Sequence, residues 1–244
     1  MQLLLISNST NYGEAYLGWP RPHLGNFLQK NSIKRVLFVP YAGVGLHAEG
    51  LKKSFDVYEE KVASVFHELG CEIYSIHNES DPVEEVEKAE AVAVGGGNTF
   101  HLVYMMHKTG IMEAIRKRAL AGMPYMGWSA GSNVACPTLC TTNDMPITEP
   151  ESFKCLNLIP FQINPHYLDA NPEGHGGETR EQRIDEYAKV NREMYVAGLR
   201  EGCLFKVEGD KLILEGERPL RVFKYGNEPK EYQKSDDISF LMED

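Results

Sequence analysis

A nine-residue stretch, Tyr125-Met-Gly-Trp-Ser-Ala-Gly-Ser-Asn133, constrains the fold more than any other part of the chain. A short apolar run, residues 123–126, leads into Gly-x-Ser-x-Gly, with small residues on either side of Ser129. Such a pattern allows a tight turn from a buried strand into a helix. In that turn the serine takes a strained backbone geometry and its hydroxyl projects above the sheet edge. The N–H of Ala130 then points towards any oxyanion formed on attack. Without chemistry, the same residues are simply a strand followed by a glycine-rich turn into a helix.

The rest of the chain supplies matching elements. Residues 3–7 form a continuous apolar run, as expected of a strand covered on both faces, and residues 35–40 form a second strand. Residues 23–29 are a short amphipathic segment. Across residues 51–69, Phe55, Tyr58, Val62, Val65, Phe66 and Leu69 recur at helical spacing, and Gly70 stands where a C-cap belongs. Residues 71–76 and 90–94 predict strands, and residues 83–89, 102–107 and 111–121 predict helices. Strands alternating with helices indicate an α/β fold with a doubly wound, mostly parallel sheet, whose ligands gather at the carboxyl ends of the strands. After about residue 201 the pattern changes. Residues 204–207, 212–214 and 220–223 read as short strands, expected to form an antiparallel C-terminal edge on the same sheet within a single domain, residues 1–244.

The formal net charge of −10 argues against a nucleic-acid groove or an anionic membrane surface as partner. A small acidic substrate stays possible, because one buried arginine can outweigh a distant surface field. The apolar N-terminus lacks a basic segment and is too short for a secretory signal, and no run approaches a membrane span. Five scattered cysteines suit reduced thiols in a cytosolic protein. Cys136 and Cys140 could share a helix face, but no histidine or further cysteine completes a metal set, so no metal is expected.

Gly95-Gly-Gly97-Asn98 follows a strand and can either cradle phosphate or offer a backbone N–H to an oxyanion. Rossmann and Walker spacings are both absent, and a nucleophile candidate is present, which favours the oxyanion role. His166, in Ile163-Asn-Pro-His166, falls at the end of an apolar run, where a base for Ser129 would stand. Among the other histidines, His101 and His107 flank a helix face with no acid at a useful spacing. Two acids compete to orient the imidazole: Asp144, in a polar loop soon after the serine, and Glu201, just after the strand at residues 195–197. The strand-end position favours Glu201.

Taken together, Val94-Gly-Gly-Gly-Asn-Thr-Phe100, Gly127-Trp-Ser-Ala-Gly131, Thr141-Thr-Asn-Asp-Met-Pro146, Ile163-Asn-Pro-His166, Pro172-Glu-Gly-His175 and Gly177-Glu-Thr-Arg-Glu-Gln-Arg183 closely resemble the peptidase E family of alpha-aspartyl dipeptidases. The likeness runs from residue 1 to about residue 207. It implies a cytosolic serine peptidase with a flavodoxin-like fold related to class I glutamine amidotransferases. It also implies a triad of Ser129, His166 and Glu201, oxyanion donors at Gly97 and Ala130, and no cofactor. The implied substrates are dipeptides, and some tripeptides, with a free N-terminal aspartate. Arg180, at the start of a helix behind a glycine-rich loop, is the expected partner of the aspartyl carboxylate. Arg183, one turn further on, is expected to pair with Glu186 or a neighbouring acid. Asp144 is then free to bind the substrate ammonium. The chain is expected to act as a monomer or homodimer.

Two rival readings use the same motifs. A cyanophycinase-like hydrolase on this scaffold would act on beta-aspartyl-arginine, which an isoaspartyl substrate panel would separate. A non-catalytic anion or nucleotide binder would use only the Gly95–Gly97 loop, and labelling of Ser129 by an acylating reagent would discriminate it.

Overall fold

Through the first half of the chain, each apolar run is a strand and each segment of helical spacing is a helix. The structure, a computed structural model, describes residues 1–171, 173–174 and 176–243. Pro172 and His175, both in the Pro-Glu-Gly-His run, and Asp244 lie outside the described residues. The first half comprises β1 (Gln2–Ile6), α1 (Arg21–Lys30), β2 (Arg35–Val39), α2 (Leu51–Glu68), β3 (Glu72–Ser75), α3 (Pro82–Lys88), β4 (Val92–Val94), α4 (Thr99–Lys108), α5 (Ile111–Leu120), β5 (Tyr125–Trp128) and α6 (Ala130–Asn133). The second half comprises β6 (Gln162–Tyr167), α7 (Arg180–Val190), β7 (Val196–Arg200), β8 (Cys203–Glu208), β9 (Lys211–Gly216), β10 (Leu220–Phe223) and β11 (Lys230–Tyr232).

The main sheet has the order β3-β2-β4-β5-β1-β8-β9. Its first five strands are parallel, and β8 and β9 add to β1 as an antiparallel edge. Alternate residues of a strand face opposite sides, and both sides are covered. Leu3, Leu5, Leu37, Val39, Val92 and Val94 pack on one side with α4 and α5 residues such as Leu102 and Ile115. Leu4, Ile6, Val36, Phe38, Met126 and Trp128 pack on the other with Leu24, Phe27, Val62 and Phe66 from α1 and α2. No helix among the described residues is long and apolar enough to cross a membrane.

The C-terminal strands depart from expectation. Only β8 and β9 extend the main sheet, whereas β10 and β11 join β7 and β6 in a second sheet of order β11-β10-β7-β6. The two faces of β10 explain the division. Leu220 and Val222 enter the main core beside Ile163 and Ala197, while Arg221 on the other face binds Glu231 and Glu181. Arg200, at the end of β7, is 7% exposed and closes the arrangement. Its guanidinium donates to both carboxylate oxygens of Asp169, to both of Glu231 and to the Pro219 carbonyl.

Hydrogen bonds from Arg200 hold the Asp169 and Glu231 carboxyls below the usual carboxylate range. Groups with depressed values contribute stability that is fully present above the ordinary range and is lost as pH falls through the depressed values. Both carboxylates are more than a third exposed, so solvent screens much of this effect. Arg200→Met should therefore lower Tm at neutral pH, with a deficit that narrows below about pH 4. Melting curves of both proteins across that range check it, and a pH-independent deficit would contradict it.

Candidate active site

β5 ends at Trp128 and α6 begins at Ala130, which leaves Ser129 alone on the turn with φ 54° and ψ −113°. Such a backbone costs a non-glycine residue on the order of 1–3 kcal/mol and persists only where its surroundings impose it. Here they do. A Cβ on Gly131 would lie 2.1 Å from the Val94 carbonyl oxygen, and one on Gly127 would lie 2.3 Å from that of Gly131. Only glycine allows β5, α6 and β4 to approach so closely. The Ser132 hydroxyl bridges the carbonyls of Ile6 and Gly127 at 2.7 and 2.8 Å, and the Tyr125 hydroxyl donates to the Gly131 carbonyl at 2.6 Å.

His166 comes from the second sheet. β6 pairs with β7 in regular parallel register as far as Pro165 opposite Leu199, then Tyr167 faces Arg200 and His166 is the extra residue. Its φ is 53°. A bulge of this kind re-aims a side chain, and the imidazole turns towards the first sheet. Nε2 lies 2.9 Å from the Ser129 hydroxyl oxygen, and Nδ1 lies 2.7 Å from Oε1 of Glu201. A carboxylate at Nδ1 holds the proton there and leaves Nε2 free to accept the serine proton. Glu201 is the first residue after β7, which runs three residues beyond the expected strand end at 197. His101 and His107 instead meet the carbonyls of Tyr41 and Lys154.

Asp144 is placed differently. Its Oδ2 accepts from the Thr99 N–H at 2.7 Å, the Thr99 hydroxyl at 2.6 Å and the Thr142 hydroxyl at 3.1 Å. Glu201, and not Asp144, stands beside the imidazole. Even so, Asp144 lines the same cavity of about 230 Å³ as Ser129, Ala130, His166, Glu201 and Arg180. A groove of about 680 Å³ beside α1 is larger but contains no comparable nucleophile and base.

Arg180 opens α7, whose first turn is fixed by reciprocal bonds between Thr179 and Gln182. Burial, and secondarily Arg183, pushes the Arg180 guanidinium down from its ordinary value. Its Nε is buried without a hydrogen-bond partner among the described residues. Of the acids expected to pair with Arg183, the neighbouring Glu178, just before the helix, is the one it meets, at 3.4 Å, and not Glu186. Arg180 Nε is thus open to an anionic ligand, in a cavity also lined by Asp144 and Glu201. Gly97 has φ 132° and is pressed against Ala42, whose carbonyl oxygen would be 2.2 Å from a Cβ there. Gly97 is exposed and is not among the residues that line the cavity. The neighbouring Gly96 packs against Ser129, because a Cβ on it would lie 2.9 Å from that of Ser129.

A second serine–histidine–acid alignment shows what a hydrogen-bond chain alone lacks. Ser75 lies 2.6 Å from His77 Nδ1, and His77 Nε2 lies 2.9 Å from Asp56. Ser75 is 1% exposed on a regular strand, so no substrate carbonyl can reach it.

Two residues not singled out from the sequence hold the segments that carry His166 and Glu201. The buried Ser7 hydroxyl accepts from the His166 N–H at 2.9 Å and donates to the Leu199 carbonyl at 2.7 Å. It thus satisfies the N–H that the bulge removes from the sheet ladder. Asn8 Oδ1 accepts from the Gly202 N–H at 2.9 Å and fixes the turn that carries Glu201. The only sequence signal was two polar residues at the end of an apolar run. Ser7→Ala should lower kcat by roughly 10- to 100-fold with little change in KM, since small displacements of a base carry losses of that size. Steady-state kinetics checks this, and a pure KM effect would contradict it.

Peptidase family S51 matches residues 3–215. The chain is similar to a peptidase E of Nostoc sp., 48% identical over 242 residues that cover 99% of this chain and 97% of the relative. It is also similar to a peptidase E of Streptomyces coelicolor, 44% identical over 244 residues, covering 100% and 96%. A solved peptidase from an acI-B1 Actinobacterium has the same fold, with a TM-score of 0.69 at 16% identity, covering 98% of this chain and 96% of the other. The chain therefore belongs to peptidase family S51 and is a serine-type peptidase.

Proposed function

We propose that this serine dipeptidase, acting as one catalytic domain, cleaves dipeptides and some tripeptides whose N-terminal residue is a free aspartate. Ser129 attacks the aspartyl carbonyl while His166 takes its proton and Glu201 holds the imidazolium. The N–H groups of Gly97 and Ala130 receive the oxyanion, at about 3–4 kcal/mol per donor. His166 then returns the proton to the leaving amine, the C–N bond breaks, and an aspartyl ester remains on Ser129. Water, deprotonated by His166, adds to that ester, and its collapse releases aspartate and restores the serine. Every step uses only side chains, backbone and water.

One observation carries the specificity: Arg180, whose Nε is buried without a partner among the described residues, lines the same cavity as Ser129 and His166. A planar guanidinium can meet the substrate carboxylate with two hydrogen bonds, and a carboxylate leaves water only for such a partner. The Asp144 oxygen not used by Thr99 or Thr142 is the proposed acceptor for the substrate ammonium. The net charge of −10 argues against a nucleic-acid partner. A cytoplasmic monomer or homodimer is the proposed setting. A dipeptide panel varying only the N-terminal residue, with a beta-aspartyl-arginine arm, tests the proposal. Preference for alpha-aspartyl substrates is expected, and equal turnover across N-terminal residues would overturn it.

A further inference from the structure

Behind the glycine loop stands a tyrosine that the mechanism above does not use. Tyr58, on α2, is 5% exposed. Its hydroxyl accepts from Trp128 Nε1 at 3.0 Å and donates to the Gly96 carbonyl at 3.0 Å. Trp128 directly precedes Ser129, and the Gly96 carbonyl shares a peptide with the Gly97 N–H. An indole nitrogen can only donate, so the single tyrosyl proton goes to Gly96.

We propose that Tyr58 is a positioning residue for the oxyanion hole, aiming the Gly96–Gly97 peptide so that the Gly97 N–H faces the acyl oxygen. This rests on the assignment of Gly97 as an oxyanion donor. In a trans peptide the carbonyl and the following N–H point in opposite directions. Anchoring the Gly96 carbonyl on Tyr58 therefore turns the Gly97 N–H away from α2, and that N–H meets no acceptor among the described residues. The loop ends are held by other bonds, Gly95 N–H to the Val39 carbonyl at 3.1 Å and Asn98 N–H to the Ala42 carbonyl at 2.8 Å. The middle peptide lies between glycines, which leave its orientation free unless something holds it. The tyrosine also accounts for two glycines. A Cβ on Gly95 would lie 2.7 Å from the Tyr58 hydroxyl, and one on Gly43 would lie 2.5 Å from its ring. Finally, the relay from indole through phenol to carbonyl polarises the peptide and strengthens its N–H as a donor.

The test compares an activated aspartyl oxyester with its thionoester, because sulfur accepts hydrogen bonds poorly and reports donor strength. The wild type should prefer the oxyester, and Ser129→Ala should abolish acylation by both. Tyr58→Phe should lower oxyester kcat by roughly tenfold or more, within the 10²–10³ of losing a donor outright. The oxyester-to-thionoester ratio should shrink with it, while KM and inhibition by free aspartate stay unchanged. A wild type indifferent to sulfur would remove the oxyanion assignment and the proposal with it. Wild-type selectivity retained in Tyr58→Phe would overturn the proposal alone. Should Tyr58→Phe fold poorly, 3,5-difluorotyrosine placed at position 58 by codon suppression keeps the ring and hydroxyl and strengthens the donor. The ratio should then rise, and an unchanged ratio would overturn the proposal.

Discussion

Ser129→Ala is expected to lower kcat by roughly 10⁴–10⁶ while leaving the fold intact, because members of a triad act as a unit. The substitution removes one oxygen and keeps the Cβ, so the contact with Gly96 and the backbone at φ 54° persist. The strain is imposed by Gly127, Gly131 and Ser132, none of which depends on the hydroxyl. His166 keeps Glu201 and loses only its 2.9 Å contact to the serine. Residual turnover should come from polarisation of the carbonyl by the oxyanion donors acting on water. Single-turnover kinetics with circular dichroism of the same sample measures it, and activity within about tenfold of the parent would remove Ser129 as nucleophile.

The second large effect falls on Arg180. The wild type should reject an N-terminal asparagine by about 10⁴ relative to aspartate, although the two are nearly isosteric. A neutral amide would leave a half-buried guanidinium poorly paired, and burial already presses that group down from its ordinary value. Arg180→Met should abolish Asp-Leu cleavage, yet Ser129 should still react with a small acylating reagent, since the triad makes no bond to Arg180. The values of kcat/KM for Asp-Leu and Asn-Leu with both proteins decide it. An unchanged Asp-over-Asn ratio would assign the selection elsewhere.

The parallel half of the fold was legible because strands buried on both faces leave continuous apolar runs, as in residues 3–6 and 36–39. The Gly-x-Ser-x-Gly turn was legible because close approach permits nothing bulkier at 127 and 131. The second sheet was not. β11 is short, charged and largely exposed, and β10 pairs with β7 through a register that no local pattern specifies. The bulge at His166 was hidden for the same reason: an extra residue shows only against its partner strand. Ser7 and Asn8 act on residues about 160 and 194 positions away, beyond any local spacing rule. The family likeness pointed to Glu201, and position in space separates it from Asp144.

Ser129 rides on the seven-stranded sheet, whereas His166 and Glu201 ride on the four-stranded one. On the proposed mechanism the proton therefore passes between residues carried by two different sheets, which share one core and are tied by the Ser7 bonds to β6 and β7. On that reading a small change in how one sheet sits against the other would slow cleavage, since misplacing a base by about 1 Å can cost roughly 100-fold. Cleavage rate is in this sense a vernier, reading the alignment of two slabs more finely than any probe of secondary structure can.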